Sequence, residues 1–302
     1  MHWTDEIRAT IVSGAISALE RANDLSNRMA RLQMALRWRR FGLSYAGAPD
    51  DIFIVAYPKS GTTLMQMLVY QLLTDGGIAF DHISSFCPYL ERDLLPRQAS
   101  TLDAIATLPR PHVVKSHLPY ALMPKGPGRY IYVMRNGLDV AVSFYKQQLR
   151  AEGPAPAFPA FFDAMLEGNL PASTWFEHVA GWSGNRERLN VLYVTYEDLL
   201  ADIDTQARRV ADFCGVTIPD SEWPRVCANC SFDFMRLHER KLDDWFGDAR
   251  QDLHFIRKGI VGGWRDVVTP PMLRRFRSKY DATLGSFALP NCLRGEGESS
   301  VV

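Results

Sequence analysis

Two hydrophobic periods alternate along the chain. Over residues 4–40, Ile7, Ile11, Val12, Ile16, Leu19, Leu25, Met29, Leu32 and Leu36 recur at helical spacing and predict one or two helices. Gly42 to Asp51 breaks that period, and Phe53-Ile54-Val55-Ala56-Tyr57 follows as the continuous apolar, β-branched run expected of a strand buried on both faces. His112-Val113-Val114, Tyr130-Ile131-Tyr132-Val133 and Val191-Leu192-Tyr193-Val194 read the same way, and the sequence between successive runs is long enough for a crossover helix. Strands alternating with helices imply a parallel sheet covered on both faces. The expected fold is therefore a single α/β domain over residues 49–292, with a central parallel sheet flanked by helices. A helical N-terminal arm over 1–48 precedes it and a flexible tail over 293–302 follows.

Composition narrows the function classes. The 302 residues carry 34 Lys+Arg against 34 Asp+Glu, and a neutral chain is poorly suited to coating nucleic acid, which needs an extended cationic face. Any anion it handles should be met at a local site. No apolar run approaches the roughly 18–20 residues that span a bilayer, and the acidic start Met1-His2-Trp3-Thr4-Asp5-Glu6 is unlike a secretory leader. Five cysteines in no regular framework fit a reducing compartment, so a cytoplasmic location is expected. Cys227 and Cys230 have a spacing that can open a zinc site, but no second ligand pair accompanies them and no metal is expected. Arg28, Arg31, Arg37, Arg39 and Arg40 near Trp38 and Phe41 fit an arm packed on the domain with a solvated arginine face. The alternative is peripheral membrane contact by residues 1–40.

The chemistry concentrates at the strand ends. Tyr57-Pro58-Lys59-Ser60-Gly61-Thr62-Thr63-Leu64 leads from the first strand into the helical pattern of Met65, Leu68, Val69 and Leu72. Such a strand-loop-helix can bind phosphate: Gly61 permits close backbone approach, new helical N–H groups face the anion, Lys59 adds charge and the hydroxyls donate hydrogen bonds. It is not a Walker A loop, because the lysine precedes the only glycine. Arg135 leaves the end of the strand at 130–133, and Ser143 lies two helical turns beyond it. Ligands of open α/β sheets sit at the carboxyl ends of strands, so Arg135 and Ser143 can converge with the Lys59 loop on a second phosphate. Lys115 and His117 follow the strand at 112–114, where a lysine can neutralise developing charge and a histidine can accept a proton. Arg257-Lys258-Gly259, followed by Ile260-Val261-Gly262-Gly263-Trp264, has the make-up of a loop that folds over an anion.

These four segments, in this order between Ile52 and Thr269, resemble the sulfotransferase family that uses 3′-phosphoadenosine 5′-phosphosulfate (PAPS), most closely its cytosolic small-molecule branch. The resemblance implies that Lys59, Ser60, Gly61, Thr62 and Thr63 surround the 5′ phosphate. It further implies that Arg135 and Ser143 recognise the 3′ phosphate, with Arg257, Lys258 and Gly259 closing over it, and that Tyr196, Cys230 and Phe232 meet the adenine end. His117 becomes the expected general base, with Lys59 and Lys115 as the catalytic cations. PAPS is then the co-substrate and adenosine 3′,5′-bisphosphate (PAP) the product, with no metal required. Pro88-Tyr89-Leu90-Glu91 resembles a segment gating the acceptor pocket, for which Phe86, Tyr89, Phe144, Gln147, Trp245, Phe246 and the polar Arg92 are candidate lining residues. An aromatic or lipid-like alcohol with some polar substitution is the expected acceptor, an amine the alternative.

Two single positions and one short motif depart from the family pattern. Leu64 stands where a tryptophan often stacks on adenine, Gly263 replaces the aspartate of a Gly-Asp-Trp turn, and Arg265, Thr269-Pro270 and Arg274 do not reproduce the animal dimer motif. No dimer is therefore carried over. A P-loop kinase or related phosphotransferase is the alternative enzyme, though an obvious strand-end aspartate for Mg²⁺ is missing. A non-catalytic PAP-binding module is the other, and it would have no use for the Lys115/His117 pair.

Overall fold

Four strands, three of them almost wholly buried and the fourth buried at its carboxyl end, form the centre of the chain. The computed structural model describes Met29 and residues 47–91, 101–150, 156–168, 173–243 and 253–295. Nearly all of the expected N-terminal arm, and the tail beyond Gly295, lie outside the described residues. In chain order the elements are β1 (Ile52–Ala56), α1 (Thr62–Leu73), α2 (Thr101–Ala106), β2 (Val113–Ser116), β3 (Arg129–Met134), α3 (Gly137–Gln148), α4 (Phe158–Glu167) and α5 (Trp175–Ser183). They continue with β4 (Asn190–Thr195), α6 (Tyr196–Ala201), α7 (Ile203–Cys214), α8 (Trp223–Asn229), α9 (Phe232–Leu237) and α10 (Pro270–Leu284).

The sheet order is β2-β1-β3-β4, with every neighbouring pair parallel. Side chains alternate between its faces. Phe53, Val55, Val114, Tyr130 and Tyr132 belong to one core with Trp175, Phe176, Trp182 and Phe276. Ile52, Ile54, Val113, Ile131 and Val133 belong to the other, with α1, α7 and α8. Burial on both faces is why these strands read as unbroken apolar runs rather than as alternation, each large side chain contributing roughly 1.5–3 kcal/mol by leaving water.

The register aligns the carboxyl ends. Val55 pairs with Ser116, Ala56 with Val133 and Met134 with Thr195. The residues that follow, Pro58-Lys59, His117, Arg135 and Tyr196, therefore leave the sheet along one edge. The chain steps from β2 over β1 to β3, which makes the gap between β1 and β3 the topological switch point, the usual ligand crevice of such sheets.

All four strands shift by a residue or two from their expected ranges, and β2 shifts furthest. β2 extends through Lys115 and Ser116 rather than ending at Val114. Polar residues tolerate the strand there because β2 is an edge strand whose outer side is covered: the Lys115 N–H donates to the Pro88 carbonyl at 2.9 Å, and Tyr89 bridges to Lys115. Lys115 is thus a strand residue, held rigidly, rather than a loop residue.

Candidate active site

One cavity of about 990 Å³ runs along the carboxyl edge of the sheet, at the upper end of the range for small-molecule sites. Lys59, Gly61, Thr62, Thr63, Lys115, His117, Arg135, Ser143, Tyr196, Cys230, Phe232, Arg257, Lys258 and Gly259 all line it. Segments separated by up to two hundred residues of sequence therefore converge. Ser60 belongs to the same loop but is fully buried beneath it.

The loop after β1 is shaped by its backbone. Lys59 has φ 69° and Gly61 φ 103°, and a Cβ at Gly61 would come within 2.6 Å of the Tyr196 ring. Only glycine fits there. The hydroxyls of Ser60 and Thr62 are buried without a partner, a costly state that an anion's oxygens would relieve. Lys59 Nζ lies 4.4 Å over the Phe255 ring. Burial, followed by repulsion from Lys115, Arg135 and Arg150, brings the Lys59 pKa down to about 7.

Arg135 braces the loop from β3. It donates to the Lys59 carbonyl at 3.1 Å and to the Ile260 carbonyl at 3.3 Å, its guanidinium lies 4.2 Å over the Tyr196 ring, and its Nε is left buried without a partner. It forms no ion pair with Asp139. The Asp139 carboxylate instead accepts from the N–H groups of Gly262 at 2.7 Å and Trp264 at 3.0 Å. The carboxylate that pins this turn comes from α3. Burial, then the nearby Arg135, lowers the Arg257 pKa. Mutually repelling cations beside orphaned hydroxyls fit an anionic ligand. Leu64, Tyr196, Cys230 and Phe232 add apolar surface to the same cavity.

The geometry of His117 fixes its tautomer. Nδ1 lies 2.7 Å from the Ala56 carbonyl, which can only accept, so Nδ1 carries the proton and Nε2 keeps its lone pair. Burial first, then Lys115, His178 and Lys59, holds the imidazole pKa well below the usual histidine range. Two residues that sequence reasoning did not single out clamp the His117 backbone. Glu91 accepts from its N–H and, at 3.0 Å, from the Ser116 hydroxyl. His178 Nε2 lies 3.2 Å from its carbonyl, while His178 Nδ1 meets the Tyr132 hydroxyl at 2.9 Å. Burial pushes the Glu91 carboxyl up to about 7. His178 has no sequence signal of its own and Glu91 stands in the sequence only as the end of the gate-like segment, because each clamp is a contact across 26 or 61 residues.

The rest of the cavity wall mixes apolar and polar side chains. Tyr89, Phe144 and Gln147 line it as expected from the sequence, together with Leu118, Leu122, Ser173, Glu177 and Phe255. Phe86 does not: its half-buried ring packs edge-on against Tyr70 at 5.0 Å, against the core that holds α1. Arg92, Trp245 and Phe246 lie outside the described residues.

Comparison with known proteins identifies the family. The sulfotransferase domain matches residues 49–288. Sulfotransferase 1B1 of Mus musculus is 32% identical over 270 residues, covering 85% of this chain and 90% of the relative. Sulfotransferase 1E1 of Homo sapiens is 32% identical over 252 residues, 79% and 85% of the two chains. The structure of retinol dehydratase in complex with androsterone and the inactive cofactor PAP superposes with a TM-score of 0.67 at 26% identity, covering 80% of this chain and 82% of that one. The phosphotransferase and pure-binding alternatives give way to these matches, and the chain belongs to the sulfotransferase family, as an enzyme that uses PAPS as its sulfuryl donor.

Proposed function

We propose that His117 is the general base for transfer of the sulfuryl group to a hydroxyl of a small, largely apolar acceptor. The observation that carries this reading is the tautomer: with Nδ1–H committed to Ala56, Nε2 is the one ring nitrogen able to take a proton, and the low pKa keeps it free at neutral pH. PAPS supplies the sulfuryl group and a stabilised phosphate leaving group, with PAP as product. As the acceptor oxygen–sulfur bond forms and the sulfur–bridging oxygen bond breaks, the acceptor proton passes to His117. Lys59 balances the charge gathering on the bridging oxygen, and Lys115 holds the oxygens of the group in transit. Ser60, Gly61, Thr62 and Thr63 cradle the 5′ phosphate. Arg135, Ser143, Arg257, Lys258 and Gly259 hold the 3′ phosphate, and Tyr196, Cys230 and Phe232 contact the adenine. Tyr89, Phe144 and Gln147 belong to the acceptor side. The five free thiols support a reducing, cytoplasmic setting.

His117→Ala is expected to lower kcat by about 100-fold or more while PAP still binds. Turnover is read with labelled PAPS and a panel of phenols, sterols and amines. Near-normal turnover by the variant removes His117 from the role, and a labelled product confined to the amines replaces the hydroxyl assignment.

A further inference from the structure

The acceptor half of the cavity holds polar atoms that the protein leaves unmatched. Leu118, Pro119, Leu122 and Phe144 give it apolar walls, and a site made to hold hydrocarbon alone would continue in that way. Two lining residues break the pattern. Gln147 lies near the end of α3, one turn past Ser143, and its Oε1 is shielded from solvent with no hydrogen-bond partner. Ser173 stands just before the Thr174 cap of α5, and its Oγ is in the same state. Folded interiors pair almost all such atoms, because an unmatched one forfeits its hydrogen bonds to water. The orphaned hydroxyls of Ser60 and Thr62 carry the same signature in the phosphate loop, where the ligand completes the site.

The chemistry of the two groups selects the ligand group. Gln147 Oε1 needs a donor, and the Ser173 hydroxyl can give or receive. A carboxylate would offer Oε1 no proton. An ammonium would bring a charge that neither Gln147 nor Ser173 neutralises. A hydroxyl satisfies both. We infer that the preferred acceptor is a diol: a long apolar molecule whose reacting hydroxyl meets His117 while a second hydroxyl is held by Gln147 and Ser173. This rests on the sulfuryl-transfer reading with His117 at the reacting end.

The test compares kcat/KM, at saturating PAPS, for biphenyl-4,4′-diol against biphenyl-4-ol and for 1,10-decanediol against 1-decanol. Either end of a symmetric diol can react, so statistics alone favour it about twofold, whereas a site built to bond the second hydroxyl favours it about tenfold or more in at least one pair. In Gln147→Leu and Ser173→Ala that advantage falls toward the statistical value, and a rise in melting temperature with PAP identifies the variants that are folded. An advantage no greater than statistical in both pairs of the wild-type enzyme overturns the inference, as does one that survives both substitutions; sulfuryl transfer itself would stand. Absence of labelled product from all four compounds, in a protein still stabilised by PAP, overturns the acceptor-site reading and the inference with it.

Discussion

Lys59 is the residue whose charge state bears most directly on the proposed nucleotide site. Its pKa, brought to about 7 by burial and then by Lys115, Arg135 and Arg150, leaves it partly neutral near physiological pH. A bound phosphosulfate supplies the missing counter-charge and restores the ammonium. Binding must therefore take up a proton wherever the free lysine is neutral. PAP affinity is expected to fall as pH rises above about 7, by up to about tenfold per pH unit while a single proton is linked to binding. Calorimetry at pH 8 in buffers of different ionisation enthalpy reads that uptake directly. Lys59→Arg, charged throughout, should flatten the dependence; an unchanged slope in that variant would mean that another group takes up the proton. His117 adds no limb in this range, because its depressed pKa places the loss of the free base below pH 6.5.

Elements separated in sequence are locked together by single side chains, and the turn beyond Arg257-Lys258-Gly259 is the clearest case. Its Gly262 and Trp264 N–H groups are both held by Asp139 in the first turn of α3. Loss of that carboxylate unfastens the segment, yet it also removes a negative charge from beside Arg135 and Arg257, which by itself would favour a phosphate. Asp139→Asn removes the same charge and keeps one accepting oxygen. It should therefore bind PAP more tightly than Asp139→Ala, by about fivefold to tenfold for one retained bond, with faster amide exchange over residues 259–264 in the alanine variant. Equal affinity in the two would sink the latch. The strands and the phosphate loop were legible in the sequence because burial on both faces writes a continuous apolar run and a loop-helix junction has its own residue types. The roles of Asp139, Glu91 and His178 were not, since each acts through a contact with a distant segment. Phe86 was misplaced for the converse reason: proximity to the gate-like Tyr89 in sequence says nothing of which side of the chain its ring takes.

Across the whole molecule, 34 positive and 34 negative residues sum to zero, but their distribution is uneven. Lys59, Lys115, Arg135, Arg257 and Lys258 line the cavity against Glu91, Asp139 and Glu177, so the remainder of the chain carries the compensating negative charge. Holding such cations together without their ligand works against folding, a form of the usual trade of stability for function. For Lys59 the sign follows from its pKa. The folded value of about 7 lies below the ordinary 10.5, so its charged form favours the unfolded chain; the penalty is fully present below pH 7 and fades as pH rises toward 10.5. Lys59→Met should therefore melt about 1–4 °C above the wild-type enzyme at pH 6 in the absence of nucleotide, with the gain shrinking by pH 9. At a PAP concentration near 100 times Kd the wild-type protein gains about 2.7 kcal/mol, whereas the variant, its affinity reduced, gains less at the same concentration. The two melting curves should then draw together or cross as PAP is added. A variant no more stable than wild type at pH 6 would show that the fold bears no cost for gathering this charge, and that the neutral sum conceals no strain.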